Sequence, residues 1–344
     1  MTSERADVHI TPGDYVEFSA HIEANRQELL LHCYRLMGSL HEAEDLVQET
    51  WLRAWQYRET FKGQASLSTW LYRIATNACL DALKKRTPRL LPPIAAHEAD
   101  PLLPLAPALS ESTWLEPFPN SWLALVTEDP AVRYARRESI SLAFLTTLQL
   151  LPPRQRAILL LSDVLDWHLN EIVDLLSISL SAVKSALRRA RVKLAENYSS
   201  DEKARGNIPD VDTATKLLLA RYLAAWEAQD IDGLVALMKE DATFTMPPSP
   251  SWYRGREAIQ TVLALQAFAP EAQNRWYFVL TGANGSPAYA VYHASGPSDA
   301  PRAFGIQVVT LEARGTNLQI ADVTTFLNPS LFTAFGFSQE LTAK

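Results

Sequence analysis

A proline-rich stretch limits what this chain can fold into. Residues 87–119 read TPRLLPPIAAHEADPLLPLAPALSESTWLEPFP. Proline fixes the backbone φ angle and lacks an N–H donor, so no long helix or central strand can cross this stretch. We therefore predict a linker over 91–130, with separate folded blocks on its two sides. Trp114, Phe118 and Trp122 indicate that part of this linker packs against a folded domain.

Hydrophobic periodicity divides the rest of the chain into three blocks. Residues 14–90 and 131–198 show the spacing typical of helices, and the polar tract SSDEKARGNIPD predicts a second linker over 199–210. Block 211–344 begins with helical periodicity and continues with β-like runs separated by GANGS and RGTN turns. These runs are RWYFVLT, PAYAVYH, FGIQVVTLEA and NLQIADVTTFL. Helices followed by an antiparallel sheet predict an α+β fold for the third block.

Composition excludes several classes of protein. Hydrophobic residues make up 47% and charged residues 21% of the 344 residues, which excludes a largely disordered chain. Cys33 and Cys79 are the only cysteines and lack metal-ligand spacing, which excludes a disulfide scaffold and a cysteine zinc site. We expect no metal and no cofactor. Residues 1–20 do not resemble a signal peptide, and the longest tract without charged residues, 276–298, is broken by TGANGSP. We therefore expect a cytoplasmic protein with no membrane partner.

Charge is unevenly distributed along the chain. A net charge of −7 argues against a nucleic-acid partner, because phosphate contacts come from Lys and Arg. However, residues 184–193 carry five basic and no acidic side chains, whereas residues 206–344 carry nine basic and 13 acidic ones. This partition is compatible with one local nucleic-acid contact, with weak DNA affinity for the free protein.

The segment LNEIVDLLSISLSAVKSALRRARVKLAEN, residues 169–197, predicts a helix-turn-helix. With Ser179 as the N-cap of the second helix, one stripe is buried. That stripe comprises Val183, Leu187, Ala190 and Leu194. The polar residues on the adjacent faces are Ser181, Lys184, Ser185, Arg188 and Arg191. Such a helix suits the DNA major groove, although a basic solvated helix is the alternative.

The segment DLVQETWLRAW, residues 45–55, predicts a helix with two contrasting stripes. Val47, Trp51 and Trp55 form an aromatic stripe that is most simply core. The opposite stripe comprises Asp45, Glu49 and Arg53. This polar stripe is either a solvated face, with a Glu49–Arg53 pair worth a few tenths of a kcal/mol, or an acidic docking face for a basic protein.

The segment FKGQASLSTWLYRIATNACLDALKKR, residues 61–86, predicts another helix. Its expected buried stripe comprises Leu71, Ile74, Ala75, Ala78 and Ala82, whereas Arg73, Asn77 and Lys84 face the other way. Trp70 and Tyr72 lie off the buried stripe in this interpretation. They are either aromatic residues at the edge of the core or a platform for stacking single-stranded bases.

Together these segments resemble the extracytoplasmic-function (ECF) class of the sigma-70 family. DLVQETWLRAW and TWLYRIATNACLDALKKR resemble sigma domain 2, and LPPRQRAILLLSDVLDWHLNEIVDLLSISLSAVKSALRRARVKL resembles sigma domain 4. YLAAWEAQDIDGLVALMKEDATFTMPPSPSWYRGREAI and FLNPSLFTAFGF resemble a SnoaL-like domain of the nuclear-transport-factor-2 superfamily. The resemblance implies all-α sigma domains 2 (14–90) and 4 (131–198), followed by an α+β cone with an internal pocket (211–344).

The resemblance also implies partners and residue roles. The partners are bacterial core RNA polymerase and promoter DNA, with the 91–130 linker running through the polymerase towards the RNA exit path. The residues implied to dock on the polymerase are Asp45, Leu46, Glu49, Arg53 and Trp55. Those implied to contact the downstream promoter element and the melted strand are Trp70, Tyr72, Arg73, Asn77, Lys84 and Lys85. Those implied to contact the upstream element are Ser181, Lys184, Ser185, Arg188, Arg189 and Arg191.

Two residues of the helix-turn-helix depart from the family pattern. Ser177 stands in the turn where family members commonly have Gly, and a left-handed conformation there would cost about 1 kcal/mol. His168 stands where Ser or Thr often caps the first helix, a loss of about 1 kcal/mol.

The third block leaves two interpretations, regulation or catalysis. Its candidate pocket residues are Asp241, Trp252, His293 and Asp322. No spacing among Asp241, His293 and Asp322 fixes an acid–base pair, so we expect no enzyme activity. We expect the tail to pack against the sigma domains or the linker and to modulate them in cis, with a small-molecule ligand as a possible effector. The alternatives are a ligand-sensing helix-turn-helix regulator and a SnoaL-like enzyme fused to DNA-binding helices.

Overall fold

The computed structural model describes residues 20, 22–61, 66–110, 113–123, 135, 137–198, 213–269, 275–296, 299–314 and 317–341. The predicted second linker, 199–210, and the end of the first, 124–130, lie outside these residues. The chain divides into two compact units, which are described separately. The described residues of Met1–Pro88 and Thr147–Asn197 form the first, and those of Arg89–Thr146 and Tyr198–Lys344 form the second.

The regular elements among the described residues of the first unit are all helices, and helices also form part of the second. In chain order they are α1 (Arg26–Met37), α2 (Leu40–Gln56), α3 (Leu67–Leu83), α4 (Pro92–Ala95), α5 (Leu142–Gln149), α6 (Pro153–Leu159), α7 (Leu169–Leu176), α8 (Leu180–Asn197), α9 (Thr213–Glu227), α10 (Ile231–Ala236), α11 (Arg256–Val262) and α12 (Leu331–Ala334). A 3₁₀ turn, Arg58–Thr60, follows α2, and π-helical turns at Leu160–Val164 and Leu263–Ala267 extend α6 and α11.

Local sequence signals set the ends of the first helices. Ser39 caps α2, because its Oγ accepts a hydrogen bond from the Glu42 backbone N–H at 3.2 Å. Ser66 caps α3 in the same way, accepting from the Thr69 N–H at 3.1 Å. Gly38 ends α1 in the left-handed conformation, with φ of 71°, which glycine adopts at little cost. These caps satisfy backbone groups that a helix leaves unpaired at its ends.

The core of the first unit lies where α1 packs against α2 and α3. Leu29, Tyr34 and Leu36 of α1 are fully buried. Helix α6 contacts α1 and α3 on one side and α8 on the other, so the two halves of this unit share a packed interior. Tyr72 and Thr76 of α3 belong to this interior as well.

A six-stranded mixed sheet forms the centre of the second unit. Its strands are β1 (Met238–Thr245), β2 (Trp252–Arg254), β3 (Arg275–Ala283), β4 (Ser286–Ala294), β5 (Arg302–Arg314) and β6 (Asn317–Phe326), in the order β2-β1-β6-β5-β4-β3. Only β1 and β6 pair in parallel among these strands. The four predicted β-like runs are confirmed as β3 to β6, whereas the prediction missed β1 and β2. The predicted fold class, helical domains followed by an α+β domain, is confirmed.

Each face of this sheet is covered by its own hydrophobic cluster. On the inner face, Tyr222 of α9 stacks on Tyr289 of β4, with ring centroids 5.9 Å apart. The Tyr222 hydroxyl donates to Oε1 of Gln307 at 2.8 Å, and burial raises the pKa of this hydroxyl. On the outer face, Phe332 of α12 packs on Tyr292. Aromatic side chains therefore pack against both faces of the sheet.

The described helices include none that combines the length and the apolar character needed to cross a membrane. Within the same residues, no group of three or more His, Cys, Asp or Glu side chains is placed to hold a metal ion.

Candidate nucleic-acid interface

Helix α8 has one buried face and one polar face, as its sequence predicts. Ser179 is its N-cap and accepts a hydrogen bond from the Ala182 N–H at 3.2 Å. Val183, Leu187 and Ala190 are buried, whereas Leu194 is half-buried. The buried residues hold α8 on α6 and so aim the opposite face at solvent.

The polar face of α8 is centred on Ser181, Ser185 and Arg188. At about 100° per residue, these three side chains lie within about 60° of one another. Ser181 and Arg188 are exposed, and so is Lys184 on one flank of this face. A short polar residue near the helix start and long cations further along are suited to reach base edges and phosphates.

Two of the predicted cations on α8 already have partners. The Arg189 guanidinium donates to Oγ of Ser185 at 2.7 Å. Arg191 forms two hydrogen bonds to the Asp163 carboxylate, at 2.7 and 2.9 Å, and these raise the pKa of Arg191. The prediction missed Asp163, because it lies outside the helix-turn-helix and no local spacing links it to Arg191.

The turn before α8 takes the left-handed conformation that its sequence opposes. Ser177 has φ of 52° and ψ of 48°, and its N–H donates to the carbonyl of Val173. At the start of α7, the Glu171 carboxylate accepts a hydrogen bond from the His168 backbone N–H at 2.8 Å. This carboxylate satisfies one of the free N–H groups at the start of α7.

Helix α3 presents an exposed stripe that contains most of its predicted DNA-contact residues. Trp70, Arg73, Asn77 and Lys84 lie within about 60° of one another around the helix. Arg73, Asn77 and Lys84 are exposed, and the half-buried Trp70 packs on Phe61 with ring centroids 5.4 Å apart. The Lys84 ammonium donates to Asp81 at 2.7 Å, which lowers the pKa of the Asp81 carboxyl. Lys85 is exposed just beyond the helix.

Tyr72 does not belong to this exposed stripe, and its predicted position off the buried stripe is wrong. Its side chain is 7% exposed and packs between the rings of His32 and Trp167, with centroids 5.1 and 5.8 Å away. The helical angle places Tyr72 about 130° from the centre of the exposed stripe. Tyr72 is therefore an interior residue in this structure and offers no free ring for base stacking.

Helix α2 carries the candidate polymerase-docking face. Asp45 is exposed, and Arg53 donates to Glu49 at 2.5 Å in the predicted i,i+4 pair. The side chain of Leu46 is only 6% exposed, so it supports the helix from inside and has no surface for a partner.

Trp55 is exposed, and the interpretation of it as core is wrong. Each four-residue step advances about 40° around a helix, so Trp55 lies about 80° from the buried Val47. The residue is 41% exposed, and the Arg58 guanidinium lies over its ring, 5.1 Å from the ring centroid.

Leu52 is a residue of this face that the prediction missed. It is 72% exposed and lies between Trp55 and Asp45 around the helix. An exposed leucine beside an exposed tryptophan forms an apolar patch of the kind found at protein-docking surfaces, whose rims are polar. We call the surface formed by Asp45, Glu49, Leu52 and Trp55 the docking face.

The four candidate pocket residues of the third block are not gathered in one place. Asp241 is exposed and pairs with Lys239, whereas the buried Trp252 donates its indole N–H to the carbonyl of Ala96. Asp322 accepts a hydrogen bond from Thr243 at 2.6 Å. Asp322 neighbours Val323 of the inner cluster, so alternation places Asp322 on the outer face.

His293 lies at the inner face, away from these carboxylates. Its ring packs on Trp276, with centroids 4.4 Å apart, and partial burial lowers the pKa of its imidazole. A cleft of about 660 Å³ does lie in this unit, lined by linker residues 100–102 and tail residues that include Arg254 and Glu257.

Comparisons with known proteins agree with this arrangement of helices and sheet. The family models for sigma-70 region 2, sigma-70 region 4 and the SnoaL-like domain match residues 21–89, 141–194 and 219–326. Over 331 residues the chain is 45% identical to the ECF RNA polymerase sigma factor SigG of Mycobacterium tuberculosis, covering 94% of this chain and 85% of that protein. The chain belongs to the ECF sigma factors of the sigma-70 family. This family is not enzymatic, and its members bind core RNA polymerase and promoter DNA.

Two further comparisons place this ECF sigma factor among its relatives. It is 27% identical to the ECF sigma factor SigW of Bacillus subtilis over 185 residues, which cover 54% of this chain and 90% of that protein. The crystal structure of the Mycobacterium tuberculosis ECF sigma factor SigJ matches with a TM-score of 0.56 at 22% identity. That match covers 93% of this chain and all of SigJ, so the two share a fold that includes the SnoaL-like domain.

Proposed function

We propose that this ECF sigma factor recruits core RNA polymerase to promoters and is restrained in cis by its SnoaL-like domain. In the proposal, the docking face of α2 binds the polymerase. The residues proposed to contact the downstream element and the melted strand are Trp70, Arg73, Asn77, Lys84 and Lys85. Those proposed to contact the upstream element are Ser181, Lys184, Ser185, Arg188, Arg189 and Arg191.

The main support for the proposed cis restraint is a buried asparagine of the tail that is hydrogen-bonded to the linker. Asn284 lies at the tip of the β3–β4 hairpin with φ of 52° and is 1% exposed. Its backbone N–H donates to the Phe118 carbonyl at 2.9 Å, and its side-chain Oδ1 accepts from the Phe118 N–H at 3.0 Å. Its Nδ2 donates to the Ile140 carbonyl at 2.7 Å. One side chain therefore ties the tail to both ends of the 118–140 segment.

A neighbouring linker asparagine completes this attachment. Asn120 accepts a hydrogen bond from the Gly285 N–H at 2.8 Å and donates to the Ser286 carbonyl at 3.1 Å. Trp114 and Phe118 are buried in the same unit. We call the contacts of Asn284, Gly285 and Ser286 with the linker the hairpin clamp.

A second attachment holds an earlier part of the linker. Ser251 Oγ accepts a hydrogen bond from the Ala106 N–H, and Ser249 Oγ donates to the Ala106 carbonyl, both at 3.0 Å. The Trp252 indole donates to Ala96 at 3.0 Å, and the Trp252 carbonyl accepts from the Ala99 N–H at 2.9 Å. The linker is thus attached to the tail at two sites.

These attachments support the proposal that the tail inhibits transcription initiation. The family resemblance implies that the linker enters the polymerase, and a linker bound to the tail is not free to do so. The hydrogen bonds and the buried aromatic rings would be lost on release, so they favour the bound state. Loosening the hairpin clamp should therefore raise the fraction of sigma factor that is competent for initiation.

Run-off transcription with Asn284→Gly in the full-length chain tests this proposal. Glycine keeps the left-handed turn and removes both side-chain hydrogen bonds. The matched control is Gln229→Gly, because Gln229 also has positive φ, at 54°, and is exposed. The template is a promoter selected from a randomised library by the wild-type chain with bacterial core polymerase. We expect more transcript per sigma factor with Asn284→Gly and no change with Gln229→Gly.

Two results would count against the proposal. Equal transcription activity of the wild-type chain and a folded Asn284→Gly chain would refute the proposed cis restraint. The absence of any promoter-dependent transcript from the wild-type chain would contradict the role of this chain in initiation.

A further inference from the structure

An exposed ion pair occupies one flank of the polar face of α8. The Asp163 carboxylate accepts two hydrogen bonds from the Arg191 guanidinium, one from Nη2 at 2.7 Å and one from Nε at 2.9 Å. Asp163 lies in the π-helical turn that extends α6, 28 positions before Arg191. Two parallel hydrogen bonds fix the geometry of such a pair and make it stronger than an exposed pair joined by one bond.

Arg191 lies on the side of α8 where the other cations of the polar face lie. At about 100° per residue, it is about 20° from Lys184 and about 60° from Arg188 around the helix. All three residues are exposed, and the side chain of Arg191 remains 57% exposed although it is paired. Lys184 and Arg188 form no ion pair with any described residue. Asp163 therefore neutralises one cation in a row of three.

A DNA phosphate would compete with Asp163 for Arg191. Carboxylates and phosphates both bind the guanidinium through two parallel hydrogen bonds. A phosphate must displace Asp163 before it binds Arg191 in this way, so one charge-assisted pair is exchanged for another. The side chain of Asp163 is itself 30% exposed, so its negative charge also repels an approaching phosphate. The net gain from a phosphate contact at Arg191 is therefore small.

We propose that Asp163 masks Arg191 from DNA and so weakens the binding of duplex DNA of any sequence by the chain without polymerase. Phosphate contacts supply most of the affinity for non-specific DNA, whereas base-edge contacts supply the sequence preference. Masking one cation therefore leaves the base-edge contacts unchanged and reduces the time that the chain is held on genomic DNA before it meets polymerase. This inference rests on the proposed DNA contacts of α8, and it does not depend on the hairpin clamp.

Fluorescence anisotropy of a short labelled duplex of random sequence, titrated with the full-length chain, tests the masking. Asp163→Asn keeps the shape of the side chain and removes its charge. We expect it to raise the affinity for the duplex about fivefold at low salt. The slope of log binding constant against log salt concentration should steepen by about 0.9, as one additional phosphate contact requires. Arg191→Ala alone should reduce the affinity less than about twofold, because its guanidinium is already masked.

A charge-matched control separates masking from a change in net charge. Asp174→Asn removes one negative charge from α7 of the same region, where Asp174 is exposed and forms no ion pair with a described residue. Each of the two asparagine variants is also combined with Arg191→Ala. The affinity gained through Asp163→Asn should disappear in its double variant, whereas any gain through Asp174→Asn should persist.

Two further variants cover misfolding and the proposed DNA contacts. Arg191→Lys keeps the positive charge but lacks the guanidinium fork, so it should also raise the affinity for the duplex. It decides the matter if circular dichroism shows that Asp163→Asn has lost its helices. Arg188→Ala should weaken duplex binding if the polar face of α8 contacts DNA. A loss with Arg188→Ala and no gain with Asp163→Asn would overturn the masking alone, whereas no effect of either would also remove the proposed DNA contacts of α8.

Three results would overturn the masking. The first is an unchanged affinity in the folded Asp163→Asn or Arg191→Lys chain. The second is a gain that survives when Asp163→Asn is combined with Arg191→Ala, because net charge would then explain it. The third is a loss with Arg191→Ala alone that equals the loss with Arg188→Ala.

Discussion

The contribution of Leu52 to polymerase binding can be worked out from its exposure. Leu52→Ala removes three carbons, each worth about 0.8 kcal/mol when fully buried. Leu52 is 72% exposed in the free chain, so a partner that covered it completely would gain about 1.7 kcal/mol from these carbons. We therefore expect Leu52→Ala to weaken binding of core polymerase about 20-fold.

The assay is a titration of fluorescently labelled full-length chain with bacterial core RNA polymerase, without DNA. Leu217→Ala is the matched control, because Leu217 is a leucine of α9 in the tail that is 62% exposed. Alanine has the higher helix propensity, so neither substitution should reduce the helix content seen by circular dichroism. Binding of Leu52→Ala within twofold of wild type, or an equal loss with Leu217→Ala, would refute the assignment of the docking face.

Three other predictions concern DNA binding and stability. Arg188→Ala should weaken promoter binding by the polymerase complex and reduce by about 1 the slope of log binding constant against log salt concentration. Arg189→Ala should weaken binding less, because the Arg189 guanidinium is already hydrogen-bonded to Ser185. Filter binding across a range of salt concentrations measures both effects. Ser177→Gly should raise the free energy of unfolding by about 1 kcal/mol in urea titrations, since glycine relieves the left-handed strain. Burial lowers the pKa of His32 to about 3 in the folded chain, whereas a histidine in the unfolded chain has a pKa of about 6.5. Between these two pH values the imidazole is protonated only in the unfolded chain, so the free energy of unfolding falls as the pH falls from about 6.5 to 3. His32→Gln should flatten this pH dependence of the urea midpoint, and an unchanged slope would contradict it.

Elements governed by local chemistry could be predicted from the sequence. Ser179 as the cap of α8, the buried Val183 and Ala190, and the strands β3 to β6 all follow from short-range patterns. Strand β1 was missed because MKEDATFT carries charged residues where the strand is exposed, which hides the alternation.

Positions governed by long-range contacts could not be predicted in this way. Tyr72 is interior because region 4 supplies Trp167, a residue 95 positions away, and no periodicity within α3 contains that partner. Asn284 was recognisable only as a turn residue in GANGS, although its side chain bonds to Phe118 and Ile140. Trp55 is different, because the helical angle alone would have placed it outside the core.

The linker is recognised mainly through its main chain, and this determines which substitutions it can tolerate. At Ala96, Ala99, Ala106, Leu109 and Phe118, the hydrogen bonds to the tail come from backbone N–H or carbonyl groups of the linker. A new side chain leaves such bonds intact unless it is proline at a donating position. Away from Asn120 and the buried Trp114 and Phe118, linker sequences could therefore diverge widely among chains of this architecture, while Ser249, Ser251 and Asn284 on the tail would be retained. In homologous sequences, the record of this attachment should be found in the tail and at these three linker positions.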